Sequence, residues 1–302
     1  MLLSVIIPVY KEEEQTIIRA VDSVKNQYGF STEDVEIILS CDLPGREINI
    51  PGVKAISTTN NSGPGVARQR GIDNAKGDYI SFLDADDIWF NLLALEMIKH
   101  DAQQEAEYIK FPFLEEKADG IQANTIDSTW CFSKVYKRQY LIDNKIAFDP
   151  FYRVHEDSFF VRSLEMRHPR TFEHGDNIYL WTNNPNSTVR QNDGIYWQSS
   201  FPVYLEVVYR LAKMQGDVNG DNRHEYIYNF CYAYANISRM DETFEAESLA
   251  ELKKHVNEDD IALISLMEND VCEAMHNINM LSNLPMRMPK YTFEEFKKKV
   301  LA

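Results

Sequence analysis

Three carboxylates occupy four consecutive positions in Asp84-Ala85-Asp86-Asp87, directly after the apolar stretch Tyr79–Leu83. The apolar stretch is rich in β-forming residues, so it predicts a short strand with the acidic residues at its C-terminal end. Negative side chains this close disfavour joint ionisation unless a cation or hydrogen-bond donors share the site. Mg²⁺ and Mn²⁺ suit such a site because they take oxygen ligands and commonly combine one or two protein carboxylates with water and phosphate. The segment therefore indicates a metal site that binds a nucleotide diphosphate.

A helix cap is the alternative explanation of the same residues. Asp is a favoured N-cap residue, and a helix is expected to begin near Trp89. Asp86 or Asp87 would then accept hydrogen bonds from the first backbone N–H groups of that helix. The four residues alone do not separate the metal site from the cap.

The charge of the chain limits the classes of partner. Its 302 residues can form one large domain or a core domain with a smaller one. The 47 acidic residues outnumber the 31 Lys and Arg residues, which gives a formal net charge of −16. This charge disfavours non-specific binding to nucleic acid and to anionic lipid.

The cysteines and the apolar segments indicate a cytoplasmic protein. The cysteines are widely spaced and form no CxxC pair, which predicts buried free thiols in a reducing compartment and no zinc site. The apolar opening Met1–Val9 lacks a basic region and a cleavage-like site, so we interpret it as the first strand and not as a signal peptide. No run of about eighteen apolar residues predicts a membrane helix.

A mostly parallel α/β sheet is expected to position the acidic residues. Strands are predicted at Leu2–Val9, Val35–Leu39, Val53–Ser57, Tyr79–Leu83, Tyr108–Phe113 and Ile178–Trp181. Helices are predicted to open at Lys11–Gln15 and to occupy Gly65–Ala75, Phe90–Gln103, Ser133–Ile142 and Asp157–Met166, with a polar connection at Leu114–Thr129. Alternating strands and helices imply parallel pairing, and ligands of such sheets bind at the carboxyl ends of the strands. Tyr10, Asp42 and Asp84 fall at those ends.

Several segments together resemble the signature of family 2 glycosyltransferases with the GT-A (Rossmann-like) fold. They lie in the family's order and spacing and cover about the first two-thirds of the chain. They are Ser4–Tyr10 with Glu12–Glu14, Val35–Leu39, Asn61–Ile72, Gly77–Ile80 with Asp84–Asp87, Trp130–Arg138, Phe148-Asp149 and His155–Phe160.

The resemblance implies a site for a nucleotide-diphosphate sugar, with UDP as the expected nucleotide. The donor-binding positions that it implies are Pro8, Tyr10, Glu12, Asp42, Arg68, Asp84, Ala85, Asp86, His155 and Arg190. Asp42 has the acceptor chemistry for the uracil N3–H, and Arg68 carries a fork for phosphate or a uracil carbonyl. Relatives commonly carry two aspartates after the second strand, whereas this chain has Cys41-Asp42. Alternatively, Asp42 only starts a turn before Pro44.

The resemblance also assigns the metal and the catalytic base. Asp86 and Asp84, with Asp87 as a third candidate, would hold Mn²⁺ or Mg²⁺. An inverting transfer needs a carboxylate to take the proton of the attacking hydroxyl, and the resemblance gives this role to Asp157, with Glu156 beside it. Asp157 as the N-cap of the following helix is the alternative. A loop containing His174, Asn186–Thr188 and Arg190 is expected to cover the donor.

We expect a catalytic domain at residues 1–195 and a helical region at residues 196–302 that shapes the acceptor side or an oligomer contact. The predicted function is a metal-dependent inverting glycosyltransferase of glycan or surface polysaccharide synthesis. Two alternatives remain at this stage. One is an enzyme that glycosylates hydroxylated bases of viral DNA, which the net charge opposes. The other is a nucleotide-sugar binder without activity, which would have no use for an acceptor base.

Overall fold

The larger of two packing units contains the predicted site. The computed structural model describes residues 2–184, 195–220, 222–281 and 288–302. Its Cα packing divides the chain into Met1–Pro185 and Asn186–Ala302. The boundary expected from sequence, after residue 195, falls ten residues further along the chain.

The first unit contains all the strands that the structure describes. They are β1 (Leu3–Val9), β2 (Val35–Cys41), β3 (Lys54–Ile56), β4 (Tyr79–Phe82), β5 (Ile88–Trp89), β6 (Tyr108–Lys110), β7 (Phe113–Lys117), β8 (Gly120–Asn124), β9 (Lys134–Lys137), β10 (Thr171–Glu173) and β11 (Tyr179–Trp181). Its helices are α1 (Glu14–Lys25), α2 (Pro64–Asn74), α3 (Ala94–Gln103), α4 (Arg138–Asp143) and α5 (Glu156–Glu165).

The strands form two sheets. The larger has the order β10-β6-β9-β4-β1-β2-β3, and the smaller has the order β5-β11-β7-β8. In the larger sheet β9 pairs antiparallel with β4 and β6, and the other pairs are parallel. The predicted class, a mostly parallel α/β sheet flanked by helices and followed by a helical region, is confirmed.

Both faces of β1 are buried, which explains its unbroken apolar sequence. Val5 and Ile7 pack on the face covered by α1, whereas Ile6 packs on the opposite face with Phe160 of α5. Helix α2 lies so close to this second face that a Cβ built on Gly71 would meet Ile6 Cγ2 at 2.3 Å. Only glycine permits this approach, which fixes the height of α2 above the sheet.

The segments between β4 and α5 differ from the sequence-based predictions. The predicted helix 133–142 is wrong in its first half, which forms β9, whereas its second half forms α4. The predicted polar connection 114–129 contains most of the β7–β8 hairpin. The helix expected near Trp89 begins at Ala94, and Trp89 belongs to β5.

The second unit is helical, as predicted. Its helices are α6 (Ile195–Asn219), α7 (Arg223–Ile237), α8 (Glu242–Leu252), α9 (Glu258–Leu266), α10 (Glu268–Leu281) and α11 (Phe293–Leu301). Its core includes Phe230 of α7 and Phe296 of α11, both fully buried. Capping boxes begin α9 at Asn257 and α11 at Thr292. Within the described part of the chain, no helix has the length and apolar character needed to span a bilayer.

Candidate active site

The carboxyl ends of β1, β2 and β4 meet at one edge of the larger sheet. Parallel pairing of β1 with both β2 and β4 aligns these ends. Tyr10, Asp42 and the turn Asp84–Asp87 follow the three strands and therefore lie at the same edge. The turn is closed by the Asp87 N–H, which donates to Asp84 O at 3.0 Å. The sequence-predicted acidic site thus has the expected position in the sheet.

Arg68 of α2 joins three carboxylates at this edge. Its Nη2 donates to Asp84 Oδ1 at 2.8 Å. Its Nη1 donates to Glu156 Oε1 at 2.9 Å and to Asp157 Oδ1 at 2.8 Å. The Arg68 side chain is only 6% exposed. Burial acts to lower the pKa of Arg68, but the neighbouring negative groups, led by Asp157, raise it well above its usual value. One buried cation therefore links the predicted metal-binding acid to the predicted base pair.

The contact between α2 and α5 depends on Gly65. A Cβ at this position would lie 2.9 Å from Glu156 Cγ. A larger residue would require the Glu156 side chain to shift, and its contact with Arg68 would change. Gly65 thus brings the acids of α5 within reach of α2.

Glu156 and Asp157 form the first turn of α5, and both are buried. Burial raises the pKa of Glu156 from 4.5 to about 8, the charge of Asp157 adds to this effect, and Arg68 opposes it. Burial also raises the pKa of Asp157, which Arg68 again opposes. The two carboxyls titrate as a coupled pair, so protons leave the pair and not either residue alone. Arg68 thus acts on both carboxyls in the same direction, against the effect of burial.

Cys131 is a site residue that the sequence analysis missed. It is fully buried, and its thiol and backbone N–H both donate to the Asp157 carboxyl, which acts to lower the pKa of Asp157. Burial raises the pKa of Cys131 well above its usual value, so the thiol stays protonated and remains a donor. No sequence signal pointed to this contact, because it joins residues on separate segments.

Asp84 and Asp86 supply the oxygens that a divalent cation would require. Asp84 is 28% exposed in its side chain and uses Oδ1 for Arg68, while its Oδ2 accepts no hydrogen bond from the described residues. Asp86 Oδ2 accepts from Asn184 Nδ2 at 2.6 Å. Burial raises the pKa of Asp86, and the charge of Asp84 adds to this effect. A cation between the two carboxylates would offset the cost of burying the charge of Asp86 and the repulsion between Asp84 and Asp86. This pair therefore fits Mg²⁺ or Mn²⁺.

This fit relies on two carboxylates with water and phosphate completing the coordination. Among the described residues, no cluster of three or more His, Cys, Asp or Glu side chains is arranged to hold a metal ion. A site made only of protein ligands is therefore not present in that part of the chain.

Asp87 anchors the turn to β11. Its Oδ2 accepts from Tyr179 Oη at 2.5 Å, and its Oδ1 accepts from the Thr182 N–H at 2.8 Å. Asp87 is 1% exposed, and burial raises its pKa well above the usual value. Both of its oxygens are occupied by protein donors. The alternative of a helix cap at Asp86 or Asp87 is wrong, because α3 begins at Ala94.

Tyr10 and Glu12 lie in a backbone turn held by Arg46. The Tyr10 N–H donates to Glu12 Oε2 at 2.6 Å. Arg46 donates from Nη1 to Tyr10 O at 2.8 Å and from Nη2 to Glu12 O at 2.5 Å. Burial raises the pKa of Glu12, and part of the increase comes from the charge of Asp86. The end of β1 and the acidic turn Asp84–Asp87 are therefore electrostatically coupled.

Asp42 organises the start of α2. Its Oδ2 accepts from the Ser62 N–H at 2.9 Å and from the Gly63 N–H at 2.7 Å. Its Oδ1 faces Arg70 Nη2 at 3.3 Å. Gly63 has a φ of 96°, a left-handed conformation that favours glycine, and Pro64 begins the helix. The segment 62–65 is thus the turn that opens α2, and Asp42 holds it in place.

The remaining predicted positions are spread around these groups. Pro8 lies in β1 opposite Ser40, and Ala85 is buried at 3% exposure between the two metal-binding candidates. His155 precedes α5 with a left-handed φ of 59°. Arg190, like 186–188, lies outside the described residues. His174 instead pairs with Asp101, at 2.6 Å between Nε2 and Oδ2.

Comparison with known proteins identifies the family. The model of glycosyl transferase family 2 matches residues 4–154, which is half of the chain. This span contains Tyr10, Asp42, Arg68 and the turn at Asp84–Asp87, and it ends two residues before Glu156.

The chain is also similar in sequence to individual glycosyltransferases. The chain is 27% identical over 208 residues to a poly(ribitol-phosphate) β-glucosyltransferase of Bacillus spizizenii, covering 60% of this chain and 32% of the relative. It is 38% identical over 100 residues to the amylovoran biosynthesis glycosyltransferase AmsB of Erwinia amylovora, covering 28% and 31%. The chain thus spans about a third of each relative.

The fold has a solved counterpart. The structure of S. aureus TarS residues 1–349 in complex with UDP-GlcNAc superposes with a TM-score of 0.69 at 17% identity, covering 93% of this chain and 91% of that one. At this identity the likeness concerns the fold. With the family model covering half of its length, and with the strand ends that carry the acidic site inside the match, this chain belongs to glycosyl transferase family 2.

Proposed function

We propose that this chain is a metal-dependent inverting glycosyltransferase that moves a sugar from a UDP-linked donor to an acceptor hydroxyl. The observation that carries the proposal is the position of Arg68 between Asp84 and the Glu156–Asp157 pair. Inverting transfer requires a leaving-group site and a base close together, with separate carboxylates for each. The relatives' names and the UDP-GlcNAc complex of TarS support this activity.

Asp157 is the proposed base. The acceptor hydroxyl attacks the anomeric carbon, its proton passes to Asp157, and the bond from that carbon to the diphosphate oxygen breaks to release UDP. Burial brings the pKa of Asp157 closer to neutrality than that of an exposed aspartate, which improves its efficiency as a base. Arg68 orients this carboxylate and opposes the rise of its pKa.

Glu156 has a supporting role. With a pKa near 8, its carboxyl is mostly protonated at neutral pH. A neutral Glu156 relieves the repulsion that a second negative charge would exert on Asp157. It also leaves more of the Arg68 charge to its other two partners, Asp84 and Asp157.

Asp84 and Asp86 would hold Mg²⁺ or Mn²⁺. Such an ion neutralises negative charge that develops on the departing diphosphate. Asn184 orients the Asp86 carboxylate, and Asp87 keeps the turn in place through β11. These contacts fix the direction in which the two carboxylates present their oxygens.

The relatives favour an acceptor in polysaccharide or teichoic acid synthesis, since one acts on poly(ribitol phosphate) by name and another takes part in amylovoran biosynthesis. The net charge of −16 disfavours the alternative of modified DNA as the acceptor.

The decisive experiment is a panel of UDP-, GDP- and dTDP-sugars scored for hydrolysis with and without Mn²⁺ or Mg²⁺. We expect one UDP-sugar to be hydrolysed in a metal-dependent manner and to raise the apparent thermal stability. Asp157→Asn should lose hydrolysis and transfer while it still binds UDP. Asp119→Asn, on the exposed β7–β8 turn, is the matched control with unchanged activity. Equal hydrolysis by Asp157→Asn and the wild type would refute the assignment of the base.

A further inference from the structure

The strand β8 is an edge strand without the usual protection against pairing. It is the last strand of the smaller sheet and has β7 on one side. Natural proteins protect such edges with very short strands, charged side chains, prolines or bulges. β8 has five residues, Gly-Ile-Gln-Ala-Asn, and none of them is charged or a proline. Its register with β7 runs without a bulge along the whole strand, so the free edge of β8 is open to another strand.

The other terminal strands of the two sheets are better protected. β5 has two residues, and β3 and β10 have three residues each. β3 also carries the charged Lys54, and β10 carries Glu173. In β8, by contrast, the apolar residue Ile121 is 63% exposed. β8 thus differs from the other edges in its length, its lack of charge and its exposed apolar side chain.

The turn between β7 and β8 determines which backbone groups of β8 point to the free edge. Lys117 and Gly120 pair across a connection of two residues, and such a connection closes on a pair that exchanges two hydrogen bonds. Hydrogen-bonded and non-hydrogen-bonded pairs alternate along an antiparallel ladder. Ile121 and Ala123 therefore direct their N–H and C=O groups away from β7. The part of the chain that the structure describes contains no partner for these groups.

We propose that β8 pairs antiparallel with β8 of a second copy of this chain, about a two-fold axis at Gln122. Ile121 of each copy would then lie opposite Ala123 of the other copy. These are the residues whose backbone groups point to the free edge, so each such pair can exchange two hydrogen bonds. The register that two-fold symmetry requires is therefore also the register that satisfies the free backbone groups.

The side chains of β8 suit pairing with a second β8. Gln122 would lie opposite its own counterpart at the axis, where two amides can donate to and accept from each other. On the other face, Ile121 would pack beside Ala123 of the second copy and lose part of its exposure to water. Each copy has a net charge of −16, so two copies approach closely only where the contact surface is uncharged. β8 meets this requirement.

Pairing of this kind stops at a dimer. A two-fold contact uses the free β8 edge of both copies, so a third copy has no β8 edge to join. The two smaller sheets would become one continuous sheet with the order β5-β11-β7-β8-β8-β7-β11-β5. An edge of five residues buries less surface than the roughly 1,200 Å² of a standard interface, so we expect a weak dimer that depends on concentration.

Charges placed at the two-fold axis test the pairing. In Gln122→Lys or Gln122→Glu alone, two like charges would meet at the axis, and the dimer should weaken about two- to fivefold in sedimentation velocity. An equimolar mixture of the two variants places Lys opposite Glu and should restore association. Gln122→Thr, which is neutral and suits a strand, is the matched control and should keep the dimer. Rescue by mixing is expected only if residue 122 of one copy meets residue 122 of the other.

A proline at Ala123 tests the backbone hydrogen bonds. Ala123→Pro removes an N–H that points to the free edge, so the hairpin with β7 should persist. The proline ring would also block the approach of a second strand. We expect this variant to stay monomeric between about 10 µM and 1 mM, the range in which weak complexes associate. Its far-UV circular dichroism and thermal midpoint should match those of the wild type.

Each outcome of these experiments decides the proposal. A wild-type chain that remains monomeric up to about 1 mM would overturn it. A dimer that both Ala123→Pro and Gln122→Lys leave intact would also overturn it, since its interface would lie elsewhere. Charge variants that weaken the dimer but do not rescue each other would show that β8 pairs with a different segment. If Ala123→Pro lowers the thermal midpoint, the mixture of charge variants still decides, because it changes no backbone group.

Discussion

Arg68 Nη1 lies 2.8 Å from Asp157 Oδ1, so the proposed base is paired with a buried cation from a different helix. The same guanidinium reaches Asp84 on the metal side. Binding of a divalent cation at Asp84 would compete with Arg68 for negative charge, because both interactions draw on one carboxylate. The proposed metal site and the proposed base would therefore be electrostatically coupled through Arg68.

Arg68→Met should destabilise the protein strongly, because it leaves buried carboxylates without a cation. Loss of one partner from a buried ion pair typically costs about 3–5 kcal/mol in the free energy of unfolding. Urea unfolding at pH 7 measures this effect. Arg170→Ala, at a side chain that is 51% exposed, should cost less than about 1 kcal/mol. Similar losses for both variants would contradict the central role of Arg68.

Stability should fall as pH rises from about 5 to about 8, because the folded-state pKa of Glu156 is raised from 4.5 to about 8. In this window the folded state binds more protons than the unfolded state, so raising the pH favours unfolding. One proton contributes a slope of at most about 1.4 kcal/mol per pH unit. Urea unfolding across this range should show a smaller slope for Glu156→Gln than for the wild type. An identical slope would show that Glu156 does not titrate there.

Cys131→Ala should shift the acidic limb of the pH–rate profile to higher pH. The thiol donates to the ionised form of Asp157, so its loss raises the pKa of the base. Cys131→Ser keeps a donor and should restore much of the wild-type profile. Initial rates of donor hydrolysis between pH 5 and 9 give the measurement. A lower rate with no shift of the limb would indicate a packing role only.

Asp86→Asn should mainly lower activity, whereas Asp87→Ala should mainly lower stability. Asp86→Asn removes a carboxylate that is proposed to bind the metal but also removes a buried charge, so activity should fall about 100-fold or more while thermal stability is kept. Asp87→Ala leaves Tyr179 Oη and the Thr182 N–H without their acceptor. It should lower the free energy of unfolding by about 1–3 kcal/mol. Matching stability losses in both variants would contradict the division of roles.

Gly65→Ala should impair activity more than stability, because the added Cβ would displace Glu156 from Arg68. Gly71→Ala should mainly lower stability, since its Cβ would meet Ile6 in the core. Donor hydrolysis and thermal unfolding measured on both variants test this contrast. Gly175→Ala, where a Cβ would have no neighbour within 4 Å, serves as the control.

The buried strands were predictable because their sequences are locally unambiguous. β1, β2 and β4 are short apolar runs, and their ends carry the acidic residues, so the edge of the sheet and the position of Asp84–Asp87 followed from sequence. β9 was missed because it is only four residues long and runs directly into α4, although Val135 and Tyr136 are strand-forming residues. Its conformation is set by pairing with β4 and β6. The β7–β8 hairpin escaped notice because it is polar, although Asp119-Gly120 is a favoured hairpin turn.

The site residues were predictable only where a single segment of the sequence contains the whole motif. The acidic turn and the Glu156–Asp157 pair are visible in sequence and through the family resemblance. The contacts of Arg46, Cys131, Tyr179 and Asn184 join segments far apart in the chain, and no periodicity reveals them. Such contacts form only when the folded chain brings distant segments together, so tertiary packing determines them and the local sequence does not.

The antiparallel strand β9 affects how the sheet can assemble during folding. It lies between β4 and β6, so before it inserts, the larger sheet exists as two separate parts, β4-β1-β2-β3 and β6 with its later partner β10. Each part would then expose an unpaired edge, which is a surface prone to pairing with other chains. Pairing of β9 with β4 joins residues 79–81 to residues 135–137, which are more than fifty positions apart in the chain. Contacts between residues so far apart in sequence form slowly. A chain in which β9 is not yet inserted would therefore expose two unpaired strand edges at once.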